Sequence, residues 1–222
     1  MTALCVLIAC EESQAECAAF RALGHLAFSC DIQECARNGN PDWHIKGDVT
    51  PYLHGRTDFV TQSGVQLSVP RWDLIIAHPP CTYLSKVGAT WMYKNPDLGV
   101  VFRNRYFMVN AERFTQMRKA RDFFFECLNA KAPFVAVENP IPMAIAQLPK
   151  PNTYACPSWY GVKYTKKTLY WLKNLPPLMA ELDFPEPKCY VRSSRGKYRS
   201  RTFTQLASAI ARQWSAYILD RL

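Results

Sequence analysis

The stretch LCVLIACEESQAECAAFRALGHLAFSCD (residues 4–31) predicts a strand, a helix and a second strand in succession. The apolar run at residues 4–10 is typical of a parallel-sheet strand that is buried on both faces. Residues 13–23 have helical spacing, and residues 25–31 predict a second strand that ends in an acid. The stretch is therefore a βαβ unit, whose crossover is expected to be right-handed.

The two ends of this predicted helix carry their own signals. Ser13 and Glu16 stand three residues apart, which is the spacing of a capping box, and Gly24 follows the last turn. We therefore expect Ser13 to cap the first turn of the helix, with Glu16 as its partner.

The alternation of strands and helices continues along the chain. The remaining predicted elements are strands at 72–77, 134–139 and 168–172, and helices at about 107–129 and 203–219. This order predicts an α/β fold with a mostly parallel sheet flanked by helices. We interpret residues 1–222 as a single domain. It carries a loop and helix excursion at 82–130 and a small basic region at about 173–201.

Length and composition narrow the class of protein. The 222 residues can bury the core of one domain, and 49% hydrophobic with 20% charged residues is typical of globular chains. No apolar run approaches the ~20 residues of a membrane span, and Glu11 and Glu12 follow the first apolar run where a signal peptide would have its cleavage site. Nine scattered cysteines indicate reduced thiols in a cytoplasm, and we expect no metal site.

The charge of the chain indicates a polyanionic partner. Lys and Arg number 27 against 18 Asp and Glu, which gives a net charge of +9. Nucleic acid is the commonest partner of a basic protein of this kind. Residues 188–201 hold six basic residues and no acid, so they are expected to contact nucleic acid.

Chemically reactive residues follow several of the predicted strands. These strand ends carry Cys10-Glu11-Glu12, Asp31, Asp48, His78-Pro79-Pro80-Cys81 and Glu138-Asn139-Pro140. In an open parallel sheet, ligands bind beyond the carboxyl ends of the strands, and an acid such as Asp31 can bind a ribose there. A thiol and a carboxylate at one edge are a candidate nucleophile and general acid, which we assign to Cys81 and Glu138.

These residues, in this order, resemble a known family. Pro79-Pro80-Cys81 after one strand and Glu138-Asn139 after a later one resemble motifs of the DNA cytosine-C5 methyltransferases. Lys166-Lys167-Thr168 resembles the basic base-contacting strand motif of that family. RSRTFTQLASAIARQW (residues 199–214) resembles the C-terminal segment of short phage and prophage cytosine methylases. The resemblance covers most of the chain, and the target-recognition region is reduced.

The resemblance implies both a fold and a reaction. The fold would be Rossmann-like, of the class I methyltransferase type, with a minimal recognition appendage. The reaction would be S-adenosylmethionine-dependent methylation of cytosine C5 in double-stranded DNA. The Cys81 thiolate would attack C6 of a flipped base, and Glu138 would stabilise the charge at the N3 and amino edge. We expect a monomer in the cytoplasm of a bacterial or phage-infected cell, without membrane contact.

The resemblance also assigns residues to ligands. Residues expected to bind the cofactor are Cys10, Glu11, Glu12, Ser13, Asp31, Ile32, Asp48, Val49 and Pro79. Residues expected to contact nucleic acid are Tyr83, Ser85, Lys86, Arg103, Arg105, Lys166, Lys167, Thr168, Arg195, Lys197, Arg199 and Arg201.

Departures from the family pattern leave other interpretations open. ACEESQ (residues 9–14) stands where the family has a glycine-rich loop, which favours a non-catalytic nucleic-acid-binding protein, whereas Cys81 and Glu138 together favour an enzyme. The short recognition region leaves RNA or a cytosine nucleotide open as the substrate, although the basic cluster disfavours a nucleotide. A methyltransferase acting on an exocyclic amino group would carry an aromatic residue at position 81.

Overall fold

The computed structural model describes residues 2–162, 167–182 and 202–222. The strands of its central sheet are β1 (Cys5–Ala9), β2 (Leu26–Asp31), β3 (His44–Lys46), β6 (Leu74–Ala77), β9 (Phe134–Asn139), β10 (Thr153–Ala155) and β11 (Thr168–Lys173). Two hairpins lie outside that sheet, formed by β4 (Asp58–Val60) with β5 (Gln66–Ser68) and by β7 (Leu98–Phe102) with β8 (Arg105–Val109). The helices are α1 (Ala15–Ala22), α2 (Thr50–Leu53), α3 (Ala89–Met92), α4 (Ala111–Leu128) and α5 (Thr204–Leu219).

The central sheet has seven strands in the order β10-β11-β9-β6-β1-β2-β3. The five strands from β9 to β3 are parallel, whereas β11 runs antiparallel to β9 and β10 antiparallel to β11. The predicted α/β fold is therefore confirmed: the sheet is mostly parallel, flanked by helices, and Rossmann-like.

Successive residues of β1 face two different helical layers. Leu7 belongs to an apolar cluster that includes Phe124 of α4, whereas Ile8 belongs to a cluster with Phe20 of α1 and Trp214 of α5. All five residues of β1 are buried. Because both faces of the sheet are covered, the strand sequence is continuously apolar instead of alternating.

The predicted capping box at the start of α1 is wrong. The carboxylate of Glu11 accepts the main-chain N–H of Glu16 at 2.8 Å and that of Cys17 at 3.3 Å, so Glu11 takes the place expected for Ser13. Gln14 precedes the helix in a left-handed conformation, with φ 57°. The chain therefore turns sharply before α1, which directs the side chain of Glu16 to the interior of the fold.

The helix predicted at about 107–129 begins later, at Ala111. Residues 98–109 form an antiparallel hairpin instead, with β7 and β8 as its strands. Exposed and partly buried residues alternate along β7, and in β8 Phe107 and Val109 are covered on either side of the exposed Met108. This is the period of a strand with one face on the core. Asn110 caps α4, because its side chain accepts a main-chain N–H of the first turn at 2.9 Å.

Within residues 2–162, 167–182 and 202–222, no helix combines the length and apolar character needed to cross a bilayer. The same residues contain no cluster of three or more His, Cys, Asp or Glu side chains that could hold a metal ion. No disulfide joins the cysteines in this part of the chain.

Candidate active site at the carboxyl edge of the sheet

The strand that precedes Cys81 and the strand that contains Glu138 are neighbours in the sheet. β6 and β9 are parallel and Ala77 is paired with Val137, so the next residues, His78 and Glu138, stand side by side. Their side chains are in contact, with 3.3 Å between His78 Nδ1 and Glu138 Oε2.

The two loops that leave these strands are bonded to each other. Asn139 Nδ2 donates to the Pro79 carbonyl at 2.9 Å, and this amide is fully buried. Two main-chain bonds continue the junction, from Lys86 N to Ile141 O at 2.8 Å and from Met143 N to Leu84 O at 2.7 Å. Cys81, which is partly exposed, lies between Pro79 and these bonds. The loop that carries Cys81 and the segment that follows Glu138 are therefore held together.

A second carboxylate contacts the other ring nitrogen of His78. Glu16 Oε2 of α1 lies 3.1 Å from His78 Nε2, and the Glu16 side chain has no solvent exposure. Burial opposes a charge on His78, but the neighbouring carboxylates of Glu16 and Glu138 raise its pKa well above the usual value. The imidazolium form is therefore favoured, with one ring N–H for each carboxylate.

Sequence reasoning missed this use of His78 and Glu16. The sequence pattern places Glu16 in the capping box and His78 only among the residues that follow the predicted strands. A usable signal was present, because Glu16 lies between Ala15 and Cys17 in a stretch with few charges. A carboxylate on the buried face of a helix needs a partner.

The Glu11 carboxylate sits close to this group. It is 5% exposed and accepts two N–H groups at the start of α1. Burial raises its pKa first, and the charge of Glu16 raises it further, whereas the hydrogen bonds of α1 and the charge of His78 lower it. Glu11 is therefore a structural cap, and its predicted contact with the cofactor would have to coexist with that role.

Three predicted cofactor residues meet at the ends of β1, β2 and β3. Burial, together with the charges of the nearby Asp31 and Asp48, raises the pKa of Cys10 to about 12. One oxygen of each acid closes a local turn: Asp31 accepts from Gln33 N at 2.8 Å and Asp48 from Thr50 N at 2.9 Å.

Cys10 also has a conformational role. It adopts φ 61°, in the left-handed region that favours glycine, directly after β1. The family that the chain resembles has a glycine-rich loop at this point. The turn is thus made here by a non-glycine residue held in place by its main-chain bond to Cys30 O at 2.7 Å.

An open cleft of about 710 Å³ lies beside the end of β2. Glu12 and Ile32 line it, and the Ile32 side chain is 77% exposed. The volume is within the usual range of ligand pockets, about 300–1,000 Å³. An acid near a ribose position, an exposed apolar side chain and a cleft of this size fit a nucleoside cofactor. Among the other predicted cofactor residues, Ser13 is partly buried, while Val49 and Pro79 are buried.

The predicted nucleic-acid residues after Cys81 have different surroundings. Ser85 is buried and its main chain bridges to Pro142, and the ring of Tyr83 lies 4.4 Å from the Arg113 guanidinium. Lys86 is exposed. Tyr83 and Ser85 therefore shape the loop, and Lys86 is available at its surface.

Two predicted contacts lie at the tip of the β7–β8 hairpin. Arg103 and Arg105 are exposed there, and Arg103 stacks on Phe102 at 5.0 Å. In the described residues, neither arginine forms an ion pair. Tyr106 is 69% exposed on the outer face of the same hairpin.

The remaining predicted contacts fall at or beyond the limits of the described chain. Lys167 lies 4.0 Å from the ring of Tyr154, and Thr168 is buried at the start of β11. Lys166, Arg195, Lys197, Arg199 and Arg201 lie outside the described residues.

Comparison with known proteins gives a fold neighbour and no family. No protein-family model and no curated protein matches the sequence. A solved structure from E. coli, described as a candidate DNA modification methyltransferase encoded within a prophage, is similar with a TM-score of 0.42 and 14% identity. The match covers 77% of this chain and 46% of that chain, so this chain spans about half the length of its neighbour.

Proposed function

We propose that the chain is an S-adenosylmethionine-dependent DNA methyltransferase that methylates cytosine at C5. One observation carries the proposal. Cys81 follows β6, Glu138 lies in the neighbouring parallel strand β9, and the two segments are bonded to each other through Asn139 and Pro79. Asp31 and Asp48 lie at the same edge of the sheet, and an open cleft lies beside the end of β2. This arrangement supports a nucleophile, an acid and a cofactor site at one edge.

Cys81 is the nucleophile in this proposal. Its thiolate attacks C6 of cytosine and forms a C–S bond, and the electron pair of the C5–C6 double bond moves to the C5 side of the ring. A free thiol has a pKa near ~8.5, so the thiolate fraction grows as pH rises through neutrality. After methylation, a base removes the C5 proton, the C5–C6 double bond re-forms, and Cys81 leaves as the thiolate by β-elimination.

Glu138 stabilises the charge that forms on the base. Its carboxyl, 16% exposed, lies at the partly open end of the site and can hydrogen-bond the N3 and amino edge of a cytosine. A group that binds the charged form of the base acts mainly in the transition state, which is why it accelerates the reaction.

The cofactor would be held by Asp31 at its ribose and by the cleft beside Ile32 at its base. Glu12, which lines the cleft, would face the methionine part. When bound, S-adenosylmethionine supplies the electrophilic methyl group that C5 takes up.

DNA is the favoured polymer because exposed cations lie in the loop after Cys81 and at the tip of the β7–β8 hairpin. Lys86, Arg103 and Arg105 are all exposed. A second cleft of about 580 Å³ is lined by the hairpin tip and by the loop after β9. That cleft is lined by Arg103 and Lys150. Phosphate contacts from such side chains position a duplex, and the target base must leave the stack to reach Cys81.

The test is mass analysis of nucleosides from cells that express the protein. We expect 5-methylcytosine in DNA with the wild-type chain, none with Cys81→Ser, and an unchanged level with Cys5→Ser, a buried cysteine at the opposite edge of the sheet. Methylated cytosine in RNA alone would make RNA the substrate. N4-methylcytosine, or C5 methylation that survives Cys81→Ser, would contradict the proposal.

A further inference from the structure

Three side chains from three elements form a continuous polar line under the active edge. Glu16 of α1 contacts His78 Nε2 at 3.1 Å, and His78 Nδ1 contacts Glu138 at 3.3 Å. His78 is 14% exposed and Glu16 is not exposed at all. Both ring nitrogens of His78 are therefore directed at carboxylates, one in the interior and one in the site.

The buried end of this line is the carboxylate of Glu16, which is only partly matched by partners among the described residues. Glu16 Oε1 has no hydrogen-bond partner within the described residues, and His78 is the cationic partner of Glu16 there. A buried carboxylate with one unmatched oxygen is costly unless it has a function or a strong ionic partner. Its effect is to keep a proton on the imidazole.

We propose that Glu16 and His78 form a proton relay that supplies Glu138 with a proton during methylation. Both act through Glu138 and are positioning residues for it. This inference rests on the proposed function, because it assigns a role to Glu138 in cytosine chemistry. Neither residue touches the base in this arrangement.

Glu138 starts as a carboxylate paired with the His78 imidazolium. When C6 is attacked, His78 Nδ1–H passes a proton to Glu138 Oε2, and Glu138 gives a proton from its other carboxyl oxygen to cytosine N3. Glu138 is then a carboxylate again, and His78 is neutral with its Nε2–H bonded to Glu16. When Cys81 leaves, N3 returns the proton to Glu138, and Glu138 returns one to His78 Nδ1. Glu16 takes up no proton in these steps, and none is consumed.

The other titratable groups around the relay act in the same direction. The Glu11 carboxylate faces Glu16 and His78 from the loop before α1. Tyr170 faces Glu16 and Glu138 from β11, where burial and those two charges raise its pKa well above the usual value, with a further contribution from Tyr160. These groups favour proton uptake, so His78 is expected in its imidazolium form, which balances the surrounding negative charge.

The experiment measures single-turnover methyl transfer to duplex DNA across a pH series. The rising limb should report ionisation of Cys81, and the falling limb should report loss of the relay proton. In Glu16→Gln we expect the falling limb to move to lower pH by about 1–3 units, because a neighbouring opposite charge is gone, while the rising limb stays in place. His78→Gln should remove that limb and lower the rate at every pH. His25→Gln, a buried histidine at the other edge of the sheet, should leave both limbs unchanged.

A second readout does not depend on turnover. Imidazole nitrogen shifts in an NMR titration should show His78 of the wild-type protein doubly protonated above pH 7 and, in Glu16→Gln, deprotonated at lower pH. If Glu16→Gln does not fold, the wild-type titration alone decides: a His78 that is neutral at pH 7 overturns the relay. A falling limb that Glu16→Gln does not move also overturns it, with the proposed function intact. Absence of 5-methylcytosine with the wild-type protein would instead refute the proposed function.

Discussion

The side-chain amide of Asn139 donates to the main-chain oxygen of Pro79 over 2.9 Å, in a position without solvent exposure. This bond joins the residue after Glu138 to the residue two before Cys81. Pro79 follows β6, and Asn139 is the last residue of the neighbouring strand β9. The bond between them therefore fixes the distance between Cys81 and Glu138, on which the proposed chemistry depends. Positioning of this kind accounts for a large part of enzymatic rate enhancement.

Asn139→Ala should therefore impair catalysis beyond its effect on folding. Loss of one buried hydrogen bond costs about 1–3 kcal/mol of unfolding free energy. We expect a fall in single-turnover rate of roughly 10²-fold as well, since misplacement of about 1 Å has that effect. Asn152→Ala is the matched control, because Asn152 accepts Leu172 N at 2.7 Å away from the site and should change stability only.

Glu138→Gln should slow methyl transfer by about 10²–10³-fold, because it removes a group that is most effective in the transition state. Cofactor affinity and the unfolding midpoint should stay close to wild type. Calorimetric titration with S-adenosylmethionine and circular dichroism check both. A variant that loses its fold would show that Glu138 is structural.

The stability of the protein should fall as pH rises through neutrality. Burial raises the pKa of Glu11, and the carboxylates beside His78 raise its pKa, so the folded chain binds more protons than the unfolded chain at both groups. The contribution of Glu11 to the free energy of unfolding is complete below the ordinary pKa of a glutamate and is lost as pH rises to the pKa of Glu11 in the folded chain. The contribution of His78 is complete below pH of about 6.5 and is lost as pH rises above that value.

Urea unfolding at pH 5.5 and pH 8.5 tests this sign. The midpoint should be lower at pH 8.5, and Glu11→Gln and His78→Gln should each reduce the difference. Glu34→Gln removes an exposed carboxylate and should leave the difference as it is. A midpoint that rises with pH would contradict the assigned proton uptake.

Binding to DNA should depend on salt through the exposed arginines. If Arg103 and Arg105 each neutralise one phosphate, the double alanine variant should flatten the log–log salt slope by about two units, at roughly 0.9 per contact. The Arg195, Lys197 and Arg199 triple variant should flatten it by about two to three units. Arg118→Ala, on the exposed surface of α4, is the control. Unchanged slopes in both variants would remove these residues from the interface.

The sheet could be predicted from sequence because burial on both faces leaves a direct trace. The runs at 4–10 and 134–137 are apolar, and polar or proline residues follow both, so the length and the ends of each strand could be predicted. The residues at the carboxyl edge could also be predicted, because the carboxyl ends of parallel strands lie at the same edge of the sheet. The fold and the positions of Cys81 and Glu138 at that edge were therefore accessible.

Other features could not be predicted because tertiary contacts overrode local signals. Ser13 has the better capping propensity, but the buried Glu11 carboxylate reaches the same N–H groups. The β7–β8 hairpin was hidden because its turn, Arg103-Asn104, is made by two left-handed non-glycine residues. The contact of Glu16 with His78 spans 62 positions in sequence, which no local pattern reports.

The most direct test of the central claim is covalent trapping on duplex DNA that contains 5-fluorocytosine, in the presence of S-adenosylmethionine. Fluorine blocks the proton loss that releases the enzyme, so the C–S bond persists. We predict a stable protein–DNA adduct that peptide mapping assigns to Cys81, that Cys81→Ser abolishes and that Cys5→Ser retains. An adduct at another cysteine, or no adduct with an actively methylating wild-type protein, would contradict the assignment of Cys81 as the nucleophile.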